Sequence, residues 1–160
     1  MVNLDIMDKI EAFKGLDDDQ LNHVQEHCKQ IEFKQGERLF IDGDEATALW
    51  VMIEGTIDMR FDLPGRPTSK QNTIATITPY QVFGWTCFVS PSIRMLSAYC
   101  STDTCKVLKI EKIRLERLFK KDPSIGYTFM SYLVNVVGLR FNQFQDEVAK
   151  RSGEDIISGW

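Results

Sequence analysis

The stretch FKQGERLFIDGDEATALWVMIEG, residues 33–55, decides the fold class. Its apolar runs are short, and glycines separate them at three points: Gly36, Gly43 and Gly55. Each glycine falls at a turn between two runs, where a positive φ or a close backbone approach is required. The stretch therefore predicts short antiparallel strands joined by tight turns.

The region outward from this stretch, residues 30–110, keeps a period of two. In residues 57–63 apolar side chains alternate with Asp58, Arg60 and Asp62, which is typical of a half-buried antiparallel strand. Similar runs occupy residues 31–34, 38–41, 49–53, 73–78, 95–101 and 106–110. Residues 64–70, PGRPTSK, predict an exposed hairpin loop. Many short, closely spaced strands imply a mainly β fold, an antiparallel β-roll of the jelly-roll or double-stranded β-helix type.

Helical patterns flank the strands. Apolar residues at helical spacing predict two short N-terminal helices, with Asp17 as the N-cap of the second. After the strands, residues 113–119 predict a short amphipathic helix, and a longer helix begins near Pro123. We expect one domain over residues 1–160, made of N-terminal helices (1–29), a β-roll (30–110) and C-terminal helices (111–150).

The long helix carries two apolar stripes and therefore needs two partners. One stripe consists of Ile125, Phe129, Tyr132 and Val136. The other has the 4-3-4-3-4 spacing of a coiled-coil seam and consists of Met130, Val134, Val137, Phe141, Phe144 and Val148. We expect the first stripe to pack on the roll and the second to form a parallel homodimer. The alternative is that both pack within one domain, because a globular helix can carry a wide apolar face.

Composition excludes several classes of function. The formal net charge of −4 provides no basic field for a nucleic-acid backbone, and no cluster of Lys and Arg overrides it, so no DNA binding is expected. No apolar stretch approaches the roughly 20 residues that a bilayer requires, and Asp5, Asp8 and Lys9 interrupt any signal peptide. We expect a cytoplasmic protein without membrane contact.

No catalytic or metal site is expected either. His23 and His27 match an H-x-x-E-H pattern, but the inward face of that helix is apolar and no third ligand accompanies them. The four cysteines form no C-x-x-C pair and are interpreted as small buried hydrophobes. A disulfide between Cys100 and Cys105 would span a tight turn, but a reducing cytosol disfavours it. No nucleophile elbow or P-loop is present, so the chain is not expected to be an enzyme.

Four glycine-containing segments resemble the cyclic-nucleotide-binding domain family. They are FKQGERLF (33–40), DGDEA (42–46), LWVMIEG (49–55) and FG (83–84), and the resemblance covers nearly the whole chain. It implies a non-enzymatic, ligand-sensing module in signal transduction. Many members carry a helix-turn-helix after the long helix, whereas here residues 149–160 are too few and lack a basic face.

The resemblance also implies where a ligand binds. In this family a phosphate-binding cassette opens with Phe-Gly-Glu and closes about ten residues later with an Arg. Here Gly84 and Arg94 match in residue and spacing, and a guanidinium suits phosphate oxygens. Trp85 stands where the family's Glu accepts a hydrogen bond from the ribose, and Met95 replaces a small or hydroxyl residue. The implied ligand site is Phe83, Gly84, Trp85, Thr86, Arg94, Met95 and Ser97.

Two hypotheses follow from this altered cassette. In the first, cAMP and cGMP bind weakly, because losing a charge-assisted hydrogen bond costs about 1.5–3 kcal/mol, and another small organic anion uses Arg94 for its charge and Trp85 for its apolar body. No cofactor beyond such a ligand is implied. In the second, Trp85 fills the pocket, and the domain is a dimerising scaffold or binds a protein partner that the sequence does not identify.

Overall fold

The computed structural model describes residues 2–158, and the side chains of residues 2–153. Its strands are β1 (Cys28–Lys34), β2 (Arg38–Phe40), β3 (Ala48–Glu54), β4 (Ile57–Arg60), β5 (Thr73–Ile77), β6 (Val82–Phe83), β7 (Ser97–Cys100) and β8 (Thr104–Glu111). Its α-helices are α1 (Leu4–Met7), α2 (Asp18–Gln25), α3 (Lys112–Lys121) and α4 (Pro123–Ser158). Short 3₁₀ helices occupy Glu11–Phe13, Lys70–Asn72 and Trp85–Phe88.

The strands form two four-stranded antiparallel sheets. Their orders are β1-β8-β3-β6 and β2-β7-β4-β5, so most neighbours in each sheet, apart from the consecutive pair β4 and β5, come from distant parts of the chain. Aromatic side chains fill the roll, where the Trp50 ring centroid lies 6.1 Å from that of Phe40 and 6.3 Å from that of Phe83. This confirms the predicted antiparallel β-roll with flanking helices.

A second core attaches the helices to the β1-β8-β3-β6 sheet. Leu49, Val51, Leu108 and Ile110 of that sheet belong to this core, together with side chains of α2, α3 and α4. Phe129 of α4 lies at its centre, fully buried. The Phe129 ring centroid is 5.4–6.1 Å from the ring centroids of three other aromatic residues: Phe13, Phe88 and Phe119. The start of α4 is therefore fixed to the roll by aromatic packing.

The two apolar stripes of α4 differ in burial. Ile125 and Phe129 are fully buried, and Tyr132 and Val136 are partly buried. The six residues of the predicted seam are 37–71% exposed: Met130, Val134, Val137, Phe141, Phe144 and Val148. Only the first stripe is thus covered by the chain's own described residues.

The strand predicted over residues 57–63 ends earlier, at Arg60, and all four of its residues are buried, including Asp58 and Arg60 on the face that was expected to be exposed. The Asp58 carboxylate accepts hydrogen bonds from Arg60 Nη2 and Thr76 Oγ1, each 3.1 Å long. The Arg60 guanidinium carbon lies 4.9 Å from the Tyr99 ring centroid. The side of this strand that was expected to face solvent therefore packs in a polar network with residues of the neighbouring strands β5 and β7.

The N-terminal segment only partly follows the prediction. Asp17 caps α2, since its carboxylate accepts a 2.9 Å hydrogen bond from the Gln20 backbone amide, and the Gln20 side-chain oxygen accepts a 3.1 Å bond from the Asp17 backbone amide. The first predicted helix is instead split into α1 and the 3₁₀ helix Glu11–Phe13. Ile10, which lies between them, has extended backbone.

The interpretation of the cysteines as small buried hydrophobes, with a disulfide between Cys100 and Cys105 disfavoured, was wrong for that pair. Cys100 ends β7, Cys105 is the second residue of β8, and the turn between the strands brings their Cα atoms to 6.0 Å, where the structure contains a disulfide. This distance is ordinary for such a bond. Cys28 and Cys87 are free, and burial raises their pKa values to about 12 and about 11, so both are neutral thiols at neutral pH.

Candidate functional site

A cavity of about 310 Å³ lies beside the segment that the sequence singled out. It is lined by Phe40, Met59, Phe83, Gly84, Trp85, Thr86, Val89, Arg94, Met95, Leu96 and Arg140. Six of the seven predicted ligand residues are brought together here. The walls are mainly apolar, and two arginines supply the charge.

The backbone at Gly84 needs a glycine. Its φ of +71° is in the left-handed region, and a Cβ there would lie 2.7 Å from Arg94 Nη1 and 3.0 Å from Trp50 Cδ1. Gly84 directly precedes the 3₁₀ helix Trp85–Phe88. The glycine therefore allows the chain to turn out of β6 while the guanidinium of Arg94 packs against its backbone.

Arg94 is buried, with 3% of its surface exposed. Its Nη1 donates a 2.6 Å hydrogen bond to the Gly84 carbonyl, and its Nη2 donates a 2.5 Å bond to the Ala48 carbonyl. The guanidinium carbon lies 4.2 Å from the Phe40 ring centroid. Nε has no hydrogen-bond partner among the side chains and backbone that the structure describes.

The charge of Arg94 has no ion-pair partner within 4.0 Å in the described part of the chain. Burial lowers the pKa of Arg94 from its ordinary value, and nearby Cys87 and Asp44 oppose that shift to a smaller extent. An arginine stays protonated at neutral pH even so. The cavity therefore contains a buried positive charge that the described residues do not neutralise.

The DGDEA segment, residues 42–46, positions Arg94. The Gly43 amide donates a 2.8 Å hydrogen bond to the Arg94 carbonyl, and the Arg94 amide donates a 2.8 Å bond to the Asp44 carbonyl. Glu45 and Ile93 form an isolated bridge beside them. One of the glycine-containing segments thus holds the backbone that carries the guanidinium.

Trp85 is half-buried and begins the 3₁₀ helix at the cavity. It packs against the second core, and the guanidinium carbon of Arg140 lies 5.9 Å from its ring centroid. Met95, in contrast, is 70% exposed where it borders the cavity. Trp85 therefore combines a packing role with an aromatic face toward a cation.

The prediction for Ser97 is not supported by its position. Ser97 is fully buried and does not line the cavity. Its hydroxyl donates to the Asp62 carboxylate and accepts a 2.8 Å hydrogen bond from the Asp42 amide. Ser97 instead connects two loops, because β7 directs its side chain to the face opposite that of Ala98.

Sequence reasoning missed several lining residues, and Arg140 is the most informative of them. The others are Phe40, Met59, Val89 and Leu96. A signal for Arg140 was present, since it is the single charged residue between Asp122 and Asp146. A single charged side chain in a long uncharged stretch indicates that it has a specific contact or binding role. Only the fold shows that this environment is the cavity beside Trp85.

Other kinds of site are not found in the part of the chain that is described. No group of three or more His, Cys, Asp or Glu side chains there could hold a metal ion. Within residues 2–158, no helix is both long enough and apolar enough to cross a membrane.

Comparisons with known proteins agree with this fold. Residues 30–122 match the family model of the cyclic nucleotide-binding domain. The chain therefore belongs to this family, whose domains are in general regulatory, act in signal transduction and are not catalytic. A comparison with curated proteins found no match.

Solved structures support the fold. A putative cyclic nucleotide-binding protein from Geobacter metallireducens is 20% identical, with a TM-score of 0.72, and the match covers 88% of this chain and 99% of that one. A cyclic nucleotide-binding domain from Methylobacillus flagellatus is 19% identical, with a TM-score of 0.74, covering 92% and 81%. The catabolite activator protein of Thermus thermophilus is 21% identical, with a TM-score of 0.71, covering 89% and 63%.

Proposed function

We propose that this domain is a non-enzymatic sensor whose cavity binds a small organic anion through Arg94, and that it binds cAMP and cGMP only weakly. The observation that carries this proposal is the buried guanidinium of Arg94, which borders an apolar cavity and has no carboxylate partner among the described residues. The proposal concerns residues 1–160 as one domain.

A buried charge without a partner is costly, so an anionic ligand would stabilise this cavity. A guanidinium has five N–H donors, and Arg94 uses two nitrogens in bonds to the Gly84 and Ala48 carbonyls. Its Nε–H is unpartnered. A carboxylate or phosphate oxygen has the charge that such a cationic donor group lacks.

Weak binding of cyclic nucleotides follows from Trp85. An indole N–H donates but cannot accept, so Trp85 cannot receive the hydrogen bond that a ribose hydroxyl donates to the family's Glu. Loss of a hydrogen bond to a charged group costs about 1.5–3 kcal/mol, which weakens binding by about tenfold or more. An apolar or aromatic ligand body suits the remaining walls better than a ribose does.

The same proposal includes a parallel homodimer formed through α4. The seam residues are exposed in the single chain, although all six are large and apolar. Burying such a strip is favourable by roughly 25 cal/mol per Å² of apolar surface. A cytoplasmic location and the lack of DNA binding stay predictions from the sequence.

One observation favours a second candidate function, a scaffold without ligand. The guanidinium of Arg94 is bonded to two main-chain carbonyls and packed on Phe40 in the structure, so its position does not depend on a ligand. Trp85 also packs against the core as well as lining the cavity. In that case the domain would act through its exposed seam alone.

A thermal-shift screen of small organic anions tests the two candidates. We expect anions that stabilise the wild type to lose their effect in Arg94→Gln, with affinity by calorimetry reduced about tenfold or more because a charge-assisted hydrogen bond is removed. Arg117→Gln is the matched control, since Arg117 is exposed on α3. Arg94→Lys keeps the charge if Arg94→Gln folds poorly. If no anion shows dependence on Arg94, the sensor proposal fails and the scaffold remains.

A further inference from the structure

Arg140 reaches the cavity from α4, whereas Arg94 belongs to the roll. Arg140 is half-buried and lines this cavity together with Trp85 and Arg94. It also lines a second cavity of about 840 Å³, which extends along α4 beside Phe61 and Ile74. No feature of the family match assigns a role to this residue, because the matched region ends at residue 122.

The charge of Arg140 is not neutralised by any described side chain within 4.0 Å. Asp146 and Glu147 follow on α4, but neither forms a described ion pair with Arg140. Glu147 pairs instead with Arg151, at 3.6 Å. Burial lowers the pKa of Arg140 from its ordinary value, and only Tyr132 opposes this shift. Its one described aromatic contact is with the Trp85 ring, 5.9 Å from the guanidinium carbon. Two such arginines therefore border one apolar cavity.

We propose that Arg140 is a second anion-binding residue and that the ligand is an organic dianion with an apolar or aromatic body. Arg94 and Arg140 each neutralise one of the anion's two negative charges, and the body lies against Trp85. This inference rests on the proposed function, because it assumes that Arg94 binds an anion. It adds to that function that the ligand carries two negative charges and that Arg140, from α4, helps to bind it.

Charge balance favours a dianion over a monoanion. A ligand with a single negative charge leaves one of the two guanidinium groups in a mainly apolar site without a counter-charge, which is unfavourable. A dicarboxylate or a phosphate monoester neutralises both. Guanidinium groups bind either group through paired hydrogen bonds and also pack against aromatic rings, and the Arg140 guanidinium carbon lies 5.9 Å from the Trp85 ring centroid. A cyclic nucleotide carries one negative charge and a polar ribose, so it matches this lining less well.

The placement of Arg140 links the ligand to the helix that carries the seam. Arg140 directly precedes Phe141 and lies three residues after Val137, and both of these are exposed seam residues. A dianion held by both arginines would fasten the middle of α4 to the roll. Ligand binding then favours one position of α4, which is how a bound anion could bias an equilibrium between two arrangements.

Calorimetric titration of the full chain with isophthalate, phenyl phosphate and benzoate tests the proposal. We expect at least one of the two dianions to bind the wild type more tightly than benzoate does. Arg140→Gln should lower the affinity for that dianion by about tenfold or more and change the affinity for benzoate by less than about threefold, since only the dianion needs a second cation. Arg117→Gln, which removes an exposed arginine of α3 that lines neither cavity, is the control and should leave both affinities unchanged. Arg140→Lys keeps the charge and should retain most of the preference.

Each other outcome overturns the inference. Equal affinities for dianions and benzoate, or a dianion affinity that Arg140→Gln leaves unchanged, would show that Arg140 does not bind the ligand. If those affinities still depend on Arg94, the sensor proposal stands without the dianion. If the wild type binds neither dianion, the dianion is refuted, and the sensor proposal is judged by the Arg94-dependent screen. Which dianion binds distinguishes a dicarboxylate site from a phosphate monoester site.

Discussion

Replacing Phe129 by alanine is expected to lower the free energy of unfolding by about 3–5 kcal/mol, the cost of truncating a buried aromatic side chain and leaving a cavity. Phe129 is fully buried, and its ring contacts an aromatic group made of Phe13, Phe88 and Phe119. The same side chain fixes the start of α4 to the roll. Urea denaturation followed by circular dichroism measures the change.

Tyr127→Ala is the matched control for that substitution. Tyr127 lies two residues away on the same helix and is 77% exposed, so its loss should change the unfolding free energy by less than about 0.5 kcal/mol. Equal effects of the two substitutions would mean that α4 does not dock through Phe129. The helix would then be free of the roll, and the position of Arg140 beside Trp85 would lose its support.

The double substitution Val137→Glu and Phe141→Glu is expected to convert a dimer into a monomer. Both side chains are exposed in the single chain and lie in the middle of the proposed seam. In a parallel dimer each introduced carboxylate would face its copy across an apolar interface, where an unpaired charge is strongly unfavourable. Light scattering coupled to size exclusion measures the mass directly.

Asn135→Glu with Asn142→Glu is the control for the seam. These residues are also exposed on α4, but they lie outside the stripe, so the variant should stay dimeric. A monomeric wild type would refute the dimer at once. A seam variant that stays fully dimeric would locate the contact elsewhere on the molecule.

The order of helices and strands could be predicted from the sequence, because short-range patterns of residues determine where each element begins and ends. Period-two alternation and turn glycines indicated the strands, and Asp17 indicated the start of α2. The order of strands in the two sheets depends on pairing between distant segments, such as β1 with β8, and no local pattern encodes that. The burial of Asp58 and Arg60 was missed for the same reason, since the side chains that contact them, Thr76 and Tyr99, come from other strands.

The site was predictable to a similar extent. Gly84 and Arg94 followed from the spacing of the cassette, and the structure places both at the cavity. Ser97 lies outside the cavity, because the alternation of side chains along β7 turns its hydroxyl toward Asp62. Arg140 was missed because it is far from the cassette in sequence, and only the packing of α4 brings it to Trp85.

Calorimetric titration with cAMP, on the wild type and on Trp85→Glu, measures how much the altered cassette weakens cyclic-nucleotide binding. We expect weak or undetectable binding by the wild type, and about tenfold or more tighter binding by Trp85→Glu, because the restored carboxylate accepts a hydrogen bond from the ribose while Arg94 already lines the cavity. Submicromolar binding of cAMP by the wild type would refute the proposal, because Trp85 would then be compatible with a functional cyclic-nucleotide site.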